Sequence, residues 1–244
     1  MSLAVVGGGG FLVWRYLDQD AATPPPPPPA AAAPVDADAA AAPEGPAPGP
    51  ATAQGLLEAA SRDGLLRKAL ADGDAVRRWA VVAANLALGE SPRKELAALA
   101  PQGKFSVETA GGRAAISPRS YARYDAFADA VASIDAGAAA SAWRALRPAL
   151  QSAYRALGYP YPTIDSAMLR ALRRLQQAPV RDGPVFVEAD GSVYAFADER
   201  LEALGQVEKH LLRMGPRNAR LVQAKARELE AALGLARPRV AAER

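Results

Sequence analysis

The chain has 244 residues, one histidine, no cysteine and a formal charge of +3. Without thiols there is no disulfide scaffold, thiolate metal site, cysteine nucleophile or lipoprotein anchor cysteine, and any Ser-His-Asp device would have to be built on His210. Residues 1–50 hold one Arg and five acids, so residues 51–244 carry 28 basic and 21 acidic groups, a net +7 that permits anionic partners. The few aromatics are not interleaved with the basic residues, and no nucleic-acid partner is expected.

The opening MSLAVVGGGGFLVW is apolar up to Arg15. As a helix, Ser2 to Trp14 would rise only about 20 Å, short of the roughly 30 Å hydrocarbon core, and snorkelling of Arg15 brings the segment to the lower edge of a span. It lacks the basic n-region and the cleavage site of a signal peptide, so residues 1–17 read as a short signal anchor. The GGGG within it has no flanking strand or Lys-Ser/Thr and is no phosphate loop. Residues 18–53 follow as a Pro/Ala-rich linker, with eleven prolines between Pro24 and Pro50, a composition that stays extended and buries no core.

From residue 54 to 236 the pattern becomes globular, with a tail at 237–244. GLLEAASRDGLLRKALADG reads as one or two short helices. DAVRRWAVVAANLALGE reads as a helix capped by Asp74, burying Val76, Trp79, Val82 and Leu86, and ending at Gly89. Ser91-Pro92 is a further helix-start signal. KFSVETAGGRAAIS reads as a hairpin turning at Gly111-Gly112. Ser117-Pro118 starts PRSYARYDAFADAVASID as one helix. AAASAWRALRPALQSAYRALG is a second long helix in which Pro148 predicts a kink or an early break. TIDSAMLRALRRLQQ is a shorter helix. PVFVEADGSVYAFA is a second hairpin, with Asp190-Gly191 as its turn and Val187 opposite Tyr194. Two strands are unstable alone, so its apolar face must be covered. The expected fold is mainly α, with two small β-hairpins.

The end of the chain holds the densest basic patch, Lys209, His210, Arg213, Arg217 and Arg220, around Gly215-Pro216. On a helical wheel Leu201, Leu204, Val207, Leu211 and Met214 form the buried stripe, which puts Lys209, His210 and Arg213 on the solvent side. Gly215 is placed to cap one helix, Pro216 stops it, and Asn218 is placed to cap the next, giving an αα-hairpin corner. Cations in the last turns of the first helix favour its dipole, whereas Arg217 and Arg220 face the unfavourable end of the second. The cluster is therefore a candidate anion- or partner-binding surface. Tyr121, Arg123 and Tyr124 are a candidate interface, the alternative being half-buried tyrosines at a helix start. No Walker loop, Rossmann glycine pattern, G-x-S-x-G or metal motif is present, so no catalytic residue, cofactor or metal is assigned. Pairs such as Glu199 and Glu202, one turn apart, leave carboxylate chemistry open.

Several stretches, RRWAVVAANLALGE, SPRSYARYD, LRPALQSAYRALGYP and above all YAFADERLEALGQVEKHLLRMGPRN, resemble the bacterial domain-of-unknown-function family 3014 over most of residues 54–235. The resemblance implies an inner-membrane anchor, a Pro/Ala linker and one domain in the periplasm, and it brings no catalytic residues. The expected function is a tethered envelope protein that binds or scaffolds an envelope protein or an anionic envelope component. The alternatives are a carboxylate-based enzyme acting on cell wall or lipid, and a soluble cytoplasmic regulator.

Overall fold

A computed structural model of the chain describes residues 50–70 and 74–235. The expected anchor (1–17), the expected linker up to residue 49 and the expected tail (237–244) lie outside them. Among the described residues no helix is long and apolar enough to cross a membrane. The order of elements is α1 (Pro50–Ala59), α2 (Gly64–Leu70), α3 (Ala75–Leu88), β1 (Val107–Ala110), β2 (Arg113–Ile116), α4 (Pro118–Ala122), α5 (Asp125–Ala132), α6 (Ala136–Ala156), α7 (Ile164–Gln177), β3 (Val187–Asp190), β4 (Val193–Phe196), α8 (Glu199–Glu202) and α9 (Gln206–Leu233). The protein is mainly helical, with two small two-stranded antiparallel sheets. Helix α1 begins four residues ahead of the expected domain boundary. Glu188–Ala195, the tip of the second hairpin, falls outside the compact unit that holds the helices.

The main core forms where α3 packs on α6 and α7. Ala80, Ala83, Ala84 and Ala87 of α3 lie against Leu146, Leu150 and Tyr154 of α6 and Ile164, Ala167 and Ala171 of α7. Of the expected buried face of α3, Val82 is buried, but Val76, Trp79 and Leu86 are only partly so, while these alanines are buried. A helix packed on two neighbours buries more than one stripe, and small side chains let the axes approach. Gly89 ends α3 in the left-handed conformation as expected, whereas Asp74 makes no side-chain cap bond.

Helix α6 runs unbroken through Pro148. An interior proline costs about 3 kcal/mol. Leu146, Leu150 and Tyr154 are all at least 97 % buried on the same helix, and burial of each returns roughly 1.5–3 kcal/mol. The sum exceeds the proline's cost, so the helix persists. Asp135 caps its start by accepting from Ala138 N–H at 2.7 Å. Thr163 and Ser166 form a reciprocal capping box on α7.

Other boundaries differ from expectation. Ser91-Pro92 opens one hydrogen-bonded turn and a short 3₁₀ segment, Ala97–Leu99, rather than an α-helix. The PRSYARYD segment is two helices, α4 capped by Ser117 and α5 starting at Asp125. Residues 199–214 are also not one helix, because α8 ends at Glu202 and Gly205, with extended ψ, starts α9.

The first hairpin turns at Gly111-Gly112 as expected, pairing Val107 with Ile116. The second turns at Gly191-Ser192, one residue later than expected. Ala197 N–H donates to Phe186 C=O at 3.0 Å, which sets Val187 opposite Phe196 rather than Tyr194. The partner moves by two residues, so the side chains keep their faces. Here Val187 and Phe196 are both buried. Just before β3, Ile116 N–H donates to Val185 C=O at 2.9 Å, and Ala115 bridges Phe186. The segment before β3 thus joins the two hairpins through backbone pairing.

Candidate functional site

Helix α9 is packed against α4, α5, α6 and α7 and carries all five residues of the basic patch. It is two helical segments, 206–214 and 216–233, that meet at a sharp kink at Gly215, where φ is 79° and ψ is 166°. These angles are not those of a left-handed cap. They are open essentially to glycine alone, and Pro216 follows as the first residue of the resumed helix. The expected break at Gly215-Pro216 is therefore present, as a kink between two helical segments rather than a left-handed cap. The close approach has the same cause: a Cβ on Gly215 would stand 2.5 Å from Tyr121 Cγ.

Asn218 does not cap a helix. It is buried, and its Nδ2 donates to Tyr121 O (3.0 Å), Met214 O (3.0 Å) and Asp125 Oδ1 (2.8 Å). At the bend the Asn218 amide thus gives Met214 O a side-chain donor. Gly215, Pro216 and Asn218 thus act together, pinning the bend to the α4–α5 corner.

The five basic residues diverge from one another. Lys209 Nζ is ion-paired with Glu202. His210 sets its ring edge-on to Tyr124, with centroids 5.7 Å apart. The Arg213 guanidinium lies 4.6 Å from the centre of the Phe196 ring. Arg217 donates to Asp129 Oδ1 at 2.7 Å and to Asn218 Oδ1 at 2.8 Å. Arg220 NH2 reaches both carboxylate oxygens of Asp182, at 2.7 and 2.6 Å. Lys209, His210 and Arg213 are half-buried, not on an open solvent face. A helix that lies across several neighbours has no broad free side, so its polar residues are drawn into contacts as well.

Burial, reinforced by the charges of Arg93 and Arg213, pushes the His210 imidazole down to about 4. At neutral pH it is therefore uncharged and contributes no cation to the patch. Burial also raises the Tyr124 phenol, against the charges of Arg123, Arg93 and Arg213. Tyr124 is 9 % exposed. Tyr121 is half-buried, covering Gly215, with its phenol raised by burial and by Glu108. Arg123 donates Nε–H to Gln102 O at 3.2 Å and holds its guanidinium 5.8 Å from the Tyr124 ring centre. Sequence reasoning missed Arg93. It sits in the loop after α3, which is fastened beside the first turn of α9: Val207 N–H donates to Gly89 O (3.3 Å) and Ser91 N–H to Gln206 Oε1 (3.1 Å). Nothing in its local sequence marks it.

An open cleft of about 620 Å³ is lined by Arg113, Asp182, Pro184, Phe186 and Asp198 among others. Its two carboxylates are engaged. Asp182 is held below the usual range by its hydrogen bond from Arg220, and Asp198 caps α8 by accepting from Arg200 N–H. For Glu202, burial pushes the carboxyl up, but hydrogen bonds from Lys209 and Phe196 N–H and the nearby charges hold it low. Among the described residues no group of three or more His, Asp or Glu could hold a metal ion.

These features define a class: a mainly helical domain with two small antiparallel sheets, closed by a bent final helix whose polar face is fixed by ion pairs. The chain belongs to the family described as Protein of unknown function (DUF3014), whose model matches residues 75–230, from the start of α3 into the last turns of α9. No curated protein and no solved structure matches the chain.

Proposed function

We propose that the chain is a membrane-tethered envelope protein whose helical domain, facing the periplasm, binds or scaffolds an anionic envelope component or envelope protein and carries out no chemistry of its own. The observation that supports binding over hydrolysis is the state of the carboxylates. A general acid needs a raised pKa, whereas Asp182 and Glu202 are both held low by partners from the same chain. The basic side chains of α9 are likewise held in place, by Glu202, Asp129 and Asp182, and a pre-positioned guanidinium loses little freedom when it meets a partner. The tether rests on chain layout: an apolar start, a proline-rich stretch and one domain.

The test is topology. The full chain with a C-terminal tag is expressed in a Gram-negative cell, which is then fractionated and treated with external protease before and after the outer membrane is opened. A membrane-bound tag cleaved only after opening supports the reading. A soluble, protected tag sinks the tether and turns the search for partners to the cytoplasm. Replacement of Lys209, Arg213, Arg217 and Arg220 by Glu is expected to abolish crosslinking to envelope components, and undiminished crosslinking would remove α9 from the binding surface.

A further inference from the structure

Three stretches of chain build the open cleft described above: Arg113 on β2, residues 180–186 between α7 and β3, and the entry to α8 with Asp198 and Leu201. All of them belong to the compact unit that holds the helices. The volume, about 620 Å³, lies within the range of small-ligand sites. Its floor is apolar, with Val185 and Leu201 buried and Phe186 half-buried. Arg113 and Arg181 are exposed at its rim. The Arg113 guanidinium lies over the Phe186 ring, 4.3 Å from its centre. A cation held on a ring face keeps its N–H donors for a further partner. Among the described residues neither arginine is paired with a carboxylate. The acids of the lining are used otherwise. Both oxygens of Asp182 accept from Arg220, which is not part of the lining, and Asp198 caps α8 through Oδ1.

Two guanidinium groups without a counter-charge, beside an apolar floor, complement an anion that has an apolar portion. Asp198 narrows the choice. Its second carboxylate oxygen has no donor among the described residues, so a ligand that is anionic throughout, such as a polyphosphate, meets repulsion there. A fatty acid brings no N–H to that oxygen. The end of a peptide has all three parts: a carboxylate for a guanidinium fork, an apolar last side chain for the floor, and backbone N–H groups for Asp198. We propose that the cleft receives the carboxyl terminus of a partner protein, its carboxylate on Arg113 and Arg181 and its apolar last side chain on Phe186, Val185 and Leu201. This rests on the binding reading above and deepens it by naming the partner's chemistry, a free C-terminus with an apolar last residue. It also moves the contact from the α9 patch to the cleft. Arg220 acts there indirectly, since its hold on Asp182 keeps that carboxylate from the rim arginines.

The full chain, isotope-labelled and held in a maltoside detergent, is titrated in an NMR experiment with N-acetylated tetrapeptides of alanine ending in Val, Leu or Phe. Each peptide is supplied as the free acid and as the C-terminal amide. The free acids are expected to shift the Nε–H resonances of Arg113 and Arg181 and the backbone amides around Asp182 and Phe186, and the amidated peptides to leave them in place. Arg113→Gln is expected to weaken binding about tenfold. Arg113→Lys, which keeps the charge but loses the planar fork, should fall between the two. Arg155→Gln, on exposed α6 surface, is expected to leave binding unchanged. Equal shifts from acids and amides, no shift from either, or full binding in Arg113→Gln overturns the proposal. Decanoate and inorganic phosphate are titrated alongside. A response to either as strong as the response to the free-acid peptides means that any anion suffices, and it overturns the assignment to a peptide end. Because it is read on purified protein, this result is independent of topology: the cleft can fail while the tether stands, and the reverse.

Discussion

Asn218 Nδ2 lies 3.0 Å from the carbonyl of Tyr121 and holds the bend of the last helix to the corner between α4 and α5. The same amide meets Met214 O, four residues away, and Asp125 Oδ1, 93 residues away, so one buried side chain ties the bend to a distant part of the chain. Asn218→Ala leaves those acceptors without their donor in a buried site and is expected to cost about 2–3 kcal/mol. Asn218→Asp replaces the donor by an acceptor facing Asp125 and is expected to cost more. Urea denaturation monitored by tryptophan fluorescence measures both, and a cost below that of a surface substitution would show that the network contributes little.

Gly215→Ala is expected to be worse than a typical core change. The backbone angles disfavour any side chain, and a Cβ would stand 2.5 Å from Tyr121 Cγ. Strain and displacement together predict a loss of roughly 2–4 kcal/mol. The double variant Gly215→Ala/Tyr121→Ala relieves the contact but not the backbone strain. Its cost is therefore expected to fall below the sum of the two single changes, as a double-mutant cycle would reveal.

Stability should depend on pH through His210. Its folded value, about 4, lies below the ordinary 6.5. The unfolded chain therefore binds more protons between these values, and stability rises with pH across that window. The contribution is fully present above about pH 6.5 and is lost as pH falls toward 4, by up to about 3 kcal/mol. His210→Phe removes the titrating group while keeping a ring beside Tyr124. The difference in unfolding free energy between variant and wild type, measured at pH 7 and pH 4.5 without phosphate, should shift in favour of the variant at the lower pH. A difference that does not change with pH would mean that His210 titrates normally.

The Arg174–Glu208 pair, 2.7 Å apart at the junction of α3, α7 and α9, should be a strong structural link. The Arg174 guanidinium stands where a Cβ on Gly89 would be, so the pair also fixes the end of α3. Glu208→Gln leaves the guanidinium without its counter-charge and is expected to cost about 2–3 kcal/mol. Arg174→Met combined with Glu208→Gln should cost less than the two separately, since the unpaired charge is then gone. Additive costs in thermal or urea unfolding would count against a coupled pair.

Much of the architecture was legible because it is local. The Ser117-Pro118 start and the Gly111-Gly112 turn depend on a few neighbouring residues, and both stand where the sequence places them. Alanine was less legible. Its abundance looks like background composition, yet Ala80, Ala83, Ala84 and Ala87 form the surface on which α6 and α7 close. A helical wheel ranks side chains by hydrophobicity, and it assigns the core to large residues even where close helix packing needs small ones.

By itself the sequence determined the residues capable of each role: a mainly helical chain with two hairpins, a glycine-proline break in the last helix, one histidine and no thiol. Tertiary structure decided how they are used. Asn218 became a buried hub rather than a cap because the bend at Gly215 presses it against Tyr121. His210 became neutral because burial and the charges of Arg93 and Arg213 surround it, and Arg93 joins it only through a loop fastened to α9 from elsewhere in the chain. Capping and turn preferences act over three or four residues and can be read in order. Burial and electrostatic fields depend on which distant segments meet, and the packing of the folded chain sets that.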